Sequence, residues 1–330
     1  MQTRFRRPIS RMACAISVCS KQSSVRTPRD VGRRSDMRFS ARLRIRSISI
    51  AVLFSVLLFA PGCDLVRVFF PSSDHDEVPP EISAEIARPA VLVFSKTNGF
   101  RHSEAIEMGV PVFEELAGRR GWGGFATENG AVHSREQLAR FDAVVWFNVS
   151  GDVLAEDQRV ALLDWIRGGG GFFGIHGTGG DSSYAWDEHP KTLVGAQFVG
   201  HPMGPQFQQA TVRIEAKEHP VVRHLRESWV RTDEWYSFAQ SPRGPGVEVL
   251  ATLDESTYSP RMKIAVIDRD LRMGEDHPII WTHCIGRGRA LYSALGHQAE
   301  AYAEPQHVRL LEEGIAWLLK SRKAGCAIAD

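Results

Sequence analysis

Five side chains that can bind a metal or move a proton fall in predicted loops of this sequence. They are His102, His176, His201, Glu234 and His297. Imidazole and carboxylate groups are ligands of zinc and non-haem iron, and they are also common general acids and bases in enzymes. No two of the five have the i, i+4 spacing of a helix-borne metal motif such as HExxH. A shared site must therefore be assembled by the fold, not by one local segment.

His176 lies between glycines, in the run Gly174-Ile-His-Gly177-Thr-Gly-Gly-Asp181 that follows an apolar stretch. A residue with small neighbours at a sharp strand-to-helix turn has the geometry of a nucleophile elbow. An imidazole presented in this way can be a metal ligand, a general base or a hydrogen-bond donor. The alternative is a glycine-rich loop with an incidental histidine. Asp181, at the end of the loop, is a candidate for binding substrate.

Two further histidine clusters also have both a functional and a structural interpretation. The polar loop from Lys96 to Ser103 offers Arg101 and His102 to a ligand, or it is a surface loop in which Ser103 caps a helix. His201 in Phe198-Val-Gly-His201 is a site residue or a turn residue.

The remaining clusters are Asp233-Glu-Trp-Tyr236 and Leu295-Gly-His297. Acids beside aromatic rings suit a sugar, because acids accept hydrogen bonds from hydroxyls and rings cover apolar C–H faces. The alternative for the first cluster is a solvent-facing acid pair beside two core aromatics. His297 directly follows a predicted strand, where a ligand or a structural role is equally open.

The elements that must position these residues alternate between strand and helix in the first half. Apolar runs at 90–95, 124–128, 142–147 and 171–175 predict strands, and 103–120 and 156–167 have helical patterns. Further strands are predicted at 211–215, 247–253, 264–268, 279–284 and 290–294, before a final amphipathic helix that opens at Pro305. Near-continuous apolar strands between helices indicate a mostly parallel sheet that is covered on both faces. Ligands bind at the carboxyl ends of such strands.

The charge of the chain is divided unevenly. The 330 residues carry a net charge of +1, but residues 1–63 hold 13 Lys/Arg against Asp30 and Asp36, a balance of +11. Subtraction leaves about −10 for residues 64–330. An acidic domain is a poor partner for phosphate backbones, so we expect no nucleic-acid binding.

The N-terminal region resembles an export signal. Four arginines between Arg38 and Arg46 precede the apolar run 48–60, which is too short to span a bilayer comfortably, and Ala60-Pro-Gly-Cys63 follows. This ending is similar to a bacterial lipoprotein signal, which implies lipidation at Cys63. Ordinary signal cleavage and an uncleaved anchor are the alternatives. A signal that started at Met37 would have the usual order of a basic stretch followed by an apolar run. We therefore exclude residues 1–36 from the prediction of the fold.

We therefore divide the chain into four parts. Residues 1–63 are the leader and signal, 64–89 a proline-rich tether, 90–322 the folded domain and 323–330 a tail. Only Cys284 and Cys326 fall after the signal, and a bridge between them is possible in an oxidising compartment. Otherwise we expect Cys284 to pack as a small apolar residue within its strand. The expected location is the periplasm or the cell surface, where the lipid on Cys63 would anchor the protein to a membrane.

Taken together, the motifs of the domain resemble the ThuA-like (trehalose utilisation) family. The resemblance rests on Gly99-Phe-Arg-His102, Gly170-Gly-Phe-Phe-Gly-Ile-His176, Phe198-Val-Gly-His201, Asp233-Glu-Trp-Tyr236, His277-Pro-Ile-Ile-Trp281, Gly286-Arg-Gly-Arg289 and Leu295-Gly-His297. It implies a class I glutamine-amidotransferase-like fold, a flavodoxin-like three-layer sandwich, and a link to carbohydrate metabolism. Glutaminases of that fold carry a Cys at the elbow. His176 cannot form their thioester, so we do not expect glutaminase activity.

Three functions compete. The first is an enzyme acting on a sugar or keto-sugar, with His176, Glu234 and His297 in acid–base catalysis. Its substrate-binding residues would be Arg101, His102, Asp181, His201, Asp233, Trp235 and Tyr236, and a divalent metal such as zinc would be held by His102, His176, His201 and His297. The second is a non-catalytic sugar-binding or scaffold lipoprotein, and the third a thiol amidotransferase that uses Cys284. Glycoside hydrolysis fits less well, because it usually needs two opposed carboxylates. The sequence leaves the oligomeric state open.

Overall fold

The structure is a computed structural model, and it describes residues 70–181 and 186–326. The leader, the apolar run and Cys63 lie outside these residues, as do residues 327–330 of the tail. Within them, no helix is both long and apolar enough to cross a bilayer.

The elements are as follows. The strands are β1 (Ala90–Phe94), β2 (Gly123–Thr127), β3 (Ala143–Phe147), β4 (Gly171–Ile175), β5 (Phe198–Gly200), β6 (Phe207–Ile214), β7 (Ser228–Glu234), β8 (Ser237–Phe238), β9 (Val247–Asp254), β10 (Arg261–Ile264), β11 (Ile267–Asp270), β12 (Pro278–Ile285) and β13 (Gly288–Ser293). The α-helices are α1 (Ser103–Arg120), α2 (Arg135–Leu138), α3 (Glu156–Arg167), α4 (Pro305–Leu318) and α5 (Ser321–Ala324).

Nine strands form one sheet in the order β2-β1-β3-β4-β13-β12-β9-β6-β7. The strands from β2 to β13 in this order are joined by four parallel pairs, and those from β13 to β7 by four antiparallel pairs. The strand β1 shows how both faces are covered, since Val91 and Val93 pack into one apolar cluster with α1 and α4 while Leu92 and Phe94 pack into another with α3. The predicted α/β three-layer sandwich is confirmed.

Two sequence-based assignments in the second half are wrong. The predicted strand 264–268 is the turn of the β10–β11 hairpin, which is exposed along its length. Its apolar residues are divided between the two strands and the turn, and Val266 in the turn is 98% exposed. Asp233 and Glu234, which we expected in a loop, end strand β7 instead.

The segment predicted as a tether packs against the domain over residues 72–89, which we call the strap. Ser72 N–H donates to Asn98 O at 2.9 Å, and Gly123 N–H donates to Pro89 O at 2.9 Å. The Asp76 carboxylate accepts from Gly130 N–H at 2.7 Å and pairs with Lys96. Proline and scattered acids suggested a loose linker, but these contacts make the strap part of the folded unit. Residues 64–69 lie outside the described ranges.

The cysteines of the domain form a disulfide that links Cys284 in β12 to Cys326, 42 residues later. The expectation that Cys284 packs as a free apolar residue is therefore wrong. Its sulfur is bonded and is not a nucleophile, which removes the basis of a thiol amidotransferase.

His133 is one of several buried histidines that the sequence did not single out. His133 is fully buried, its Nδ1 lies 3.1 Å from Gly130 O, and the Trp146 indole N–H donates to its Nε2 at 3.0 Å. Because the carbonyl accepts and the indole donates, the neutral ring satisfies both partners. Burial lowers the pKa of His133 to about 4.

Candidate functional site

The site lies where four strands of the main sheet end. His176 directly follows β4, His102 comes eight residues after β1, His297 four residues after β13, and Glu234 ends β7. These four side chains have ligand atoms within 4.8 Å of one another. The fold therefore brings together residues that are as far as 195 positions apart in the sequence.

The sharp turn expected at His176 is present. The residue has φ of 43°, a left-handed conformation that is costly for a side chain with a Cβ. The ring is fully buried and stacks on Tyr236, with centroids 4.3 Å apart. Its Nδ1 donates to Ala294 O at 2.7 Å, so Nε2 carries the lone pair of the neutral ring. That Nε2 lies 3.1 Å from His297 Nδ1 and 3.5 Å from Glu234 Oε2.

Glu234 divides its two oxygens between different partners. Oε2 lies 3.0 Å from His297 Nδ1, while Oε1 accepts from His201 Nδ1 at 3.0 Å and from the Gln206 amide. The side chain is 2% exposed. Burial alone would raise the pKa of this carboxyl, but its contacts with the His176 and His297 rings outweigh burial and hold the pKa well below its usual value. Glu234 is therefore a carboxylate at neutral pH.

His102 completes the cluster from the N-cap position of α1. The interpretation in which Ser103 caps this helix is wrong, because Ser103 is its first residue. Burial, followed by the charges of His176 and His297, holds the pKa of His102 well below its usual value. Its Nδ1 is buried and has no hydrogen-bond partner among the described residues. A neutral imidazole with an unpartnered nitrogen in such a cluster is suited to bind a cation.

The donor set fits a divalent transition metal. Three neutral imidazoles and one carboxylate are ligands that zinc, iron or manganese accept, whereas calcium and magnesium prefer oxygen. Bonds of about 2.1 Å in a tetrahedral site would separate ligand atoms by about 3.4 Å. His176 Nε2, His297 Nδ1 and Glu234 Oε2 lie 3.0 to 3.5 Å from one another, which fits such a site. The predicted ligand set needs one correction. His201 is not in the cluster, and Glu234 is its fourth member instead. His201 Nδ1 donates a hydrogen bond to the Glu234 oxygen Oε1.

A buried network positions His297. The Asp233 carboxylate accepts from Gly296 N–H at 2.9 Å and His297 N–H at 3.2 Å, and it pairs with Arg231 at 3.1 Å. Asp233 is 1% exposed, so its predicted contact with substrate is wrong. It fixes the loop that carries His297.

Three other predicted substrate-binding residues make contacts within the protein instead. Trp235 is 1% exposed, and its indole N–H donates to Gln208 O, so it belongs to the core. Tyr236 is buried beneath His176 and supports that ring. Arg101 bonds Thr97 and the Glu128 carboxylate. The interpretation of Trp235 and Tyr236 as core aromatics is the correct one. Asp181 is partly buried at the end of its described loop, where its backbone oxygen accepts from Gln197.

Sequence reasoning missed the residues that surround His297 and the elbow. The partly buried rings of Phe100 and Phe207 lie 6.3 and 4.9 Å from the His297 ring. Asn148, also at positive φ, accepts from Gly177 N–H at 2.9 Å. Two aromatic residues near a histidine are too common in sequences to be a signal, and Asn148 is identifiable only from its conformation.

The elbow is not built for acyl transfer. In enzymes with a nucleophile elbow, the N–H of the next residue stabilises the oxyanion. Here that N–H belongs to Gly177, and Asn148 Oδ1 occupies it. With an imidazole at the elbow as well, both parts of the glutaminase machinery are replaced.

Comparison with known proteins gives a consistent result. The family model for ThuA, described as trehalose utilisation, matches residues 90–318. A ThuA-like protein from Bacteroides uniformis is similar in structure, with a TM-score of 0.62 and 24% identity over 76% of this chain and 98% of that one. A ThuA-like protein from Parabacteroides merdae has a TM-score of 0.50 and 19% identity over 70% of this chain and 89% of that one. At these identities both show a shared fold. No curated protein matches the chain.

Proposed function

This chain belongs to the ThuA family of trehalose utilisation, and we propose that it is an exported enzyme that acts on a sugar or keto-sugar at a metal-binding His/Glu site. The observation that carries the proposal is the convergence of His102, His176, Glu234 and His297 within 4.8 Å. We assign these four side chains to metal binding. Of the two roles predicted for His176 and His297, this assignment keeps metal binding and drops acid–base catalysis, and it moves Glu234 from catalysis to the ligand set.

We assign proton transfer to His201. Its Nδ1 faces two acceptors, Glu234 Oε1 at 3.0 Å and Pro202 O at 3.1 Å, so Nδ1 carries the hydrogen and Nε2 the lone pair. The side chain is 25% exposed, unlike the buried rings of the cluster. A neutral His201 can therefore accept a proton at Nε2 from substrate, and the Glu234 carboxylate stabilises the cation that results.

Substrate binding follows from the surroundings of His297. The rings of Phe100 and Phe207 supply apolar surface for the C–H face of a sugar. A metal bound by the cluster would act as a Lewis acid towards a sugar carbonyl or hydroxyl oxygen. With one base, proton abstraction beside a carbonyl is the supported reaction class, which includes isomerisation, hydration and elimination. Hydrolysis by two opposed carboxylates is not supported, because Glu234 is buried among imidazoles and the Asp233 carboxylate accepts hydrogen bonds from the backbone of Gly296 and His297.

The test combines metal analysis with turnover. We expect purified protein to hold about one divalent metal per chain and to convert the 3-keto form of trehalose, which has the carbonyl that trehalose itself lacks. His176→Ala should lose both metal and turnover. His201→Gln should keep the metal and lose turnover, which separates the two roles. Sugar binding without turnover by the metal-loaded protein would support a non-catalytic binding lipoprotein instead, and absence of metal would refute the site.

Export is supported by two independent features. The sequence before residue 64 resembles a lipoprotein signal, and the Cys284–Cys326 disulfide is typical of proteins in oxidising compartments. We expect labelled palmitate to be incorporated into the wild type and not into Cys63→Ser. We also expect Cys284 to resist alkylation in protein isolated from its native compartment. A reactive Cys284 thiol there would argue for a reducing location.

A further inference from the structure

The sheet ends at an open strand edge next to the site. Strand β7 pairs with β6 on one side, and no described strand pairs with the other. Ile214 N–H donates to Glu227 O, which sets the alternation of the ladder. In an antiparallel pair, every second residue turns its backbone groups away from the partner. The N–H and C=O groups of Val230 and Thr232 therefore point outward.

A groove of about 440 Å³ runs along this edge. One wall is the strand from Val230 to Asp233, and the other carries Gln298, Glu300 and Glu304. The groove thus combines outward backbone groups with polar side chains opposite them. Its volume suits a short extended peptide, not a second sheet.

The groove is acidic. Its lining residues include Asp233, Glu300 and Glu304 against one cation, Arg231, which leaves a balance of −2. The buried Asp233 and Arg231 side chains pair with each other, so the net negative charge comes from Glu300 and Glu304. Arg231 is buried and already paired, at 3.1 Å with Asp233 and 3.4 Å with Glu304. Glu300 is exposed on the outer wall. A ligand with positive charge is therefore favoured.

We infer that this groove binds an extended peptide segment with Lys or Arg side chains, which adds a strand to the outer edge of β7. Main-chain hydrogen bonds to Val230 and Thr232 provide affinity in this mode, and side chains at alternate positions provide specificity. The basic side chains of the peptide lie against Glu300 and Glu304. Pairing with a second copy is disfavoured, because two identical acidic walls would then repel one another.

The test uses synthetic peptides and the full protein. The probe is an acetylated, amidated heptapeptide that alternates Lys with Val or Thr, and its matched control has Glu in place of each Lys. Titration calorimetry should detect binding of the Lys peptide only, with affinity that falls as salt rises. Methylation of alternate backbone nitrogens should abolish binding, because it removes the donors that pair with β7.

Two pairs of variants locate the binding. Val230→Pro removes an outward N–H without removing a bond to β6, and it should weaken binding about tenfold, whereas Val230→Thr should not. Glu300→Lys should weaken binding several-fold, and Glu107→Lys, an exposed change on α1, should not. Equal binding by both peptides, no binding at millimolar concentration, or unchanged affinity in both test variants would overturn the inference. Self-association that Val230→Pro abolishes would also overturn it, in favour of a second copy.

Discussion

Protonation of His133 should destabilise the domain in mild acid. The buried ring donates to Gly130 and accepts from Trp146, so a second ring proton would meet the indole N–H. The unfolded chain takes up this proton near pH 6.5 and the folded chain only near pH 4. The unfolded state therefore binds more protons between these values, and the stability contributed by neutral His133 is lost as pH falls through that window.

The size of the effect follows from the width of the window. Between pH 8 and pH 5 the unfolded group crosses its pKa by 1.5 units while the folded group stays neutral, which amounts to about 2 kcal/mol. His189 and His219, with pKa values lowered by burial to about 3 and about 4, add to the dependence of the wild type. The contribution of His133 must therefore be measured as a difference between two proteins.

The assay is denaturant unfolding of the wild type and His133→Gln at several pH values. A glutamine can donate to Gly130 and accept from Trp146, but it does not titrate. The variant should lose about 2 kcal/mol less stability than the wild type between pH 8 and pH 5, whatever its stability at pH 8. Equal losses in the two proteins would show that His133 is protonated in the fold or exposed to water, and this reasoning would be refuted.

Three predictions concern the site. Asp233→Asn should destabilise the fold by about 3 kcal/mol, because it leaves the Arg231 charge partly uncompensated, and it should weaken metal binding about tenfold or more. Denaturant unfolding measures the first effect and chelator competition the second. The control is Glu275→Gln, the corresponding change at an exposed carboxylate. Gly177→Ala should also weaken metal binding, since the new Cβ would lie 2.9 Å from His102 Nδ1; unchanged affinity would contradict the assigned ligand. Phe207→Ala should raise KM about fivefold for a sugar and leave kcat nearly unchanged, the result expected for uniform binding.

The parallel half of the fold was predictable from the sequence because its signals are local. Residues 90–94 and 171–175 are unbroken apolar runs, and 156–167 ends at a glycine. The antiparallel half was less clear. Apolar residues at 264–267 occupy an exposed hairpin, and the polar 228–234 alternates buried with exposed residues at a sheet edge. Only the packing of the whole sheet decides between those outcomes.

The site was predictable in its members but not in their roles. Strand-end positions marked His102, His176 and His297, because parallel strands deliver their carboxyl ends to one edge. The sequence could not distinguish the neighbours Asp233 and Glu234, although the Glu234 carboxylate joins the histidine cluster and the Asp233 carboxylate accepts hydrogen bonds from backbone. That difference depends on which side of β7 each side chain takes.

The strap determines the N-terminal limit of the part of this protein that is stable on its own. The family match begins at Ala90. A chain that began there would lack the strap residues that cover strand β2 at the edge of the sheet. Ala87 O, for example, packs so closely on Gly123 that no Cβ fits between them. Gln158, whose amide donates to Asp76 O, would lose its partner, as would Lys96. Recombinant versions should therefore start near residue 70, and shorter ones should aggregate through the exposed edge. The inherited module is thus smaller than the unit that is stable alone.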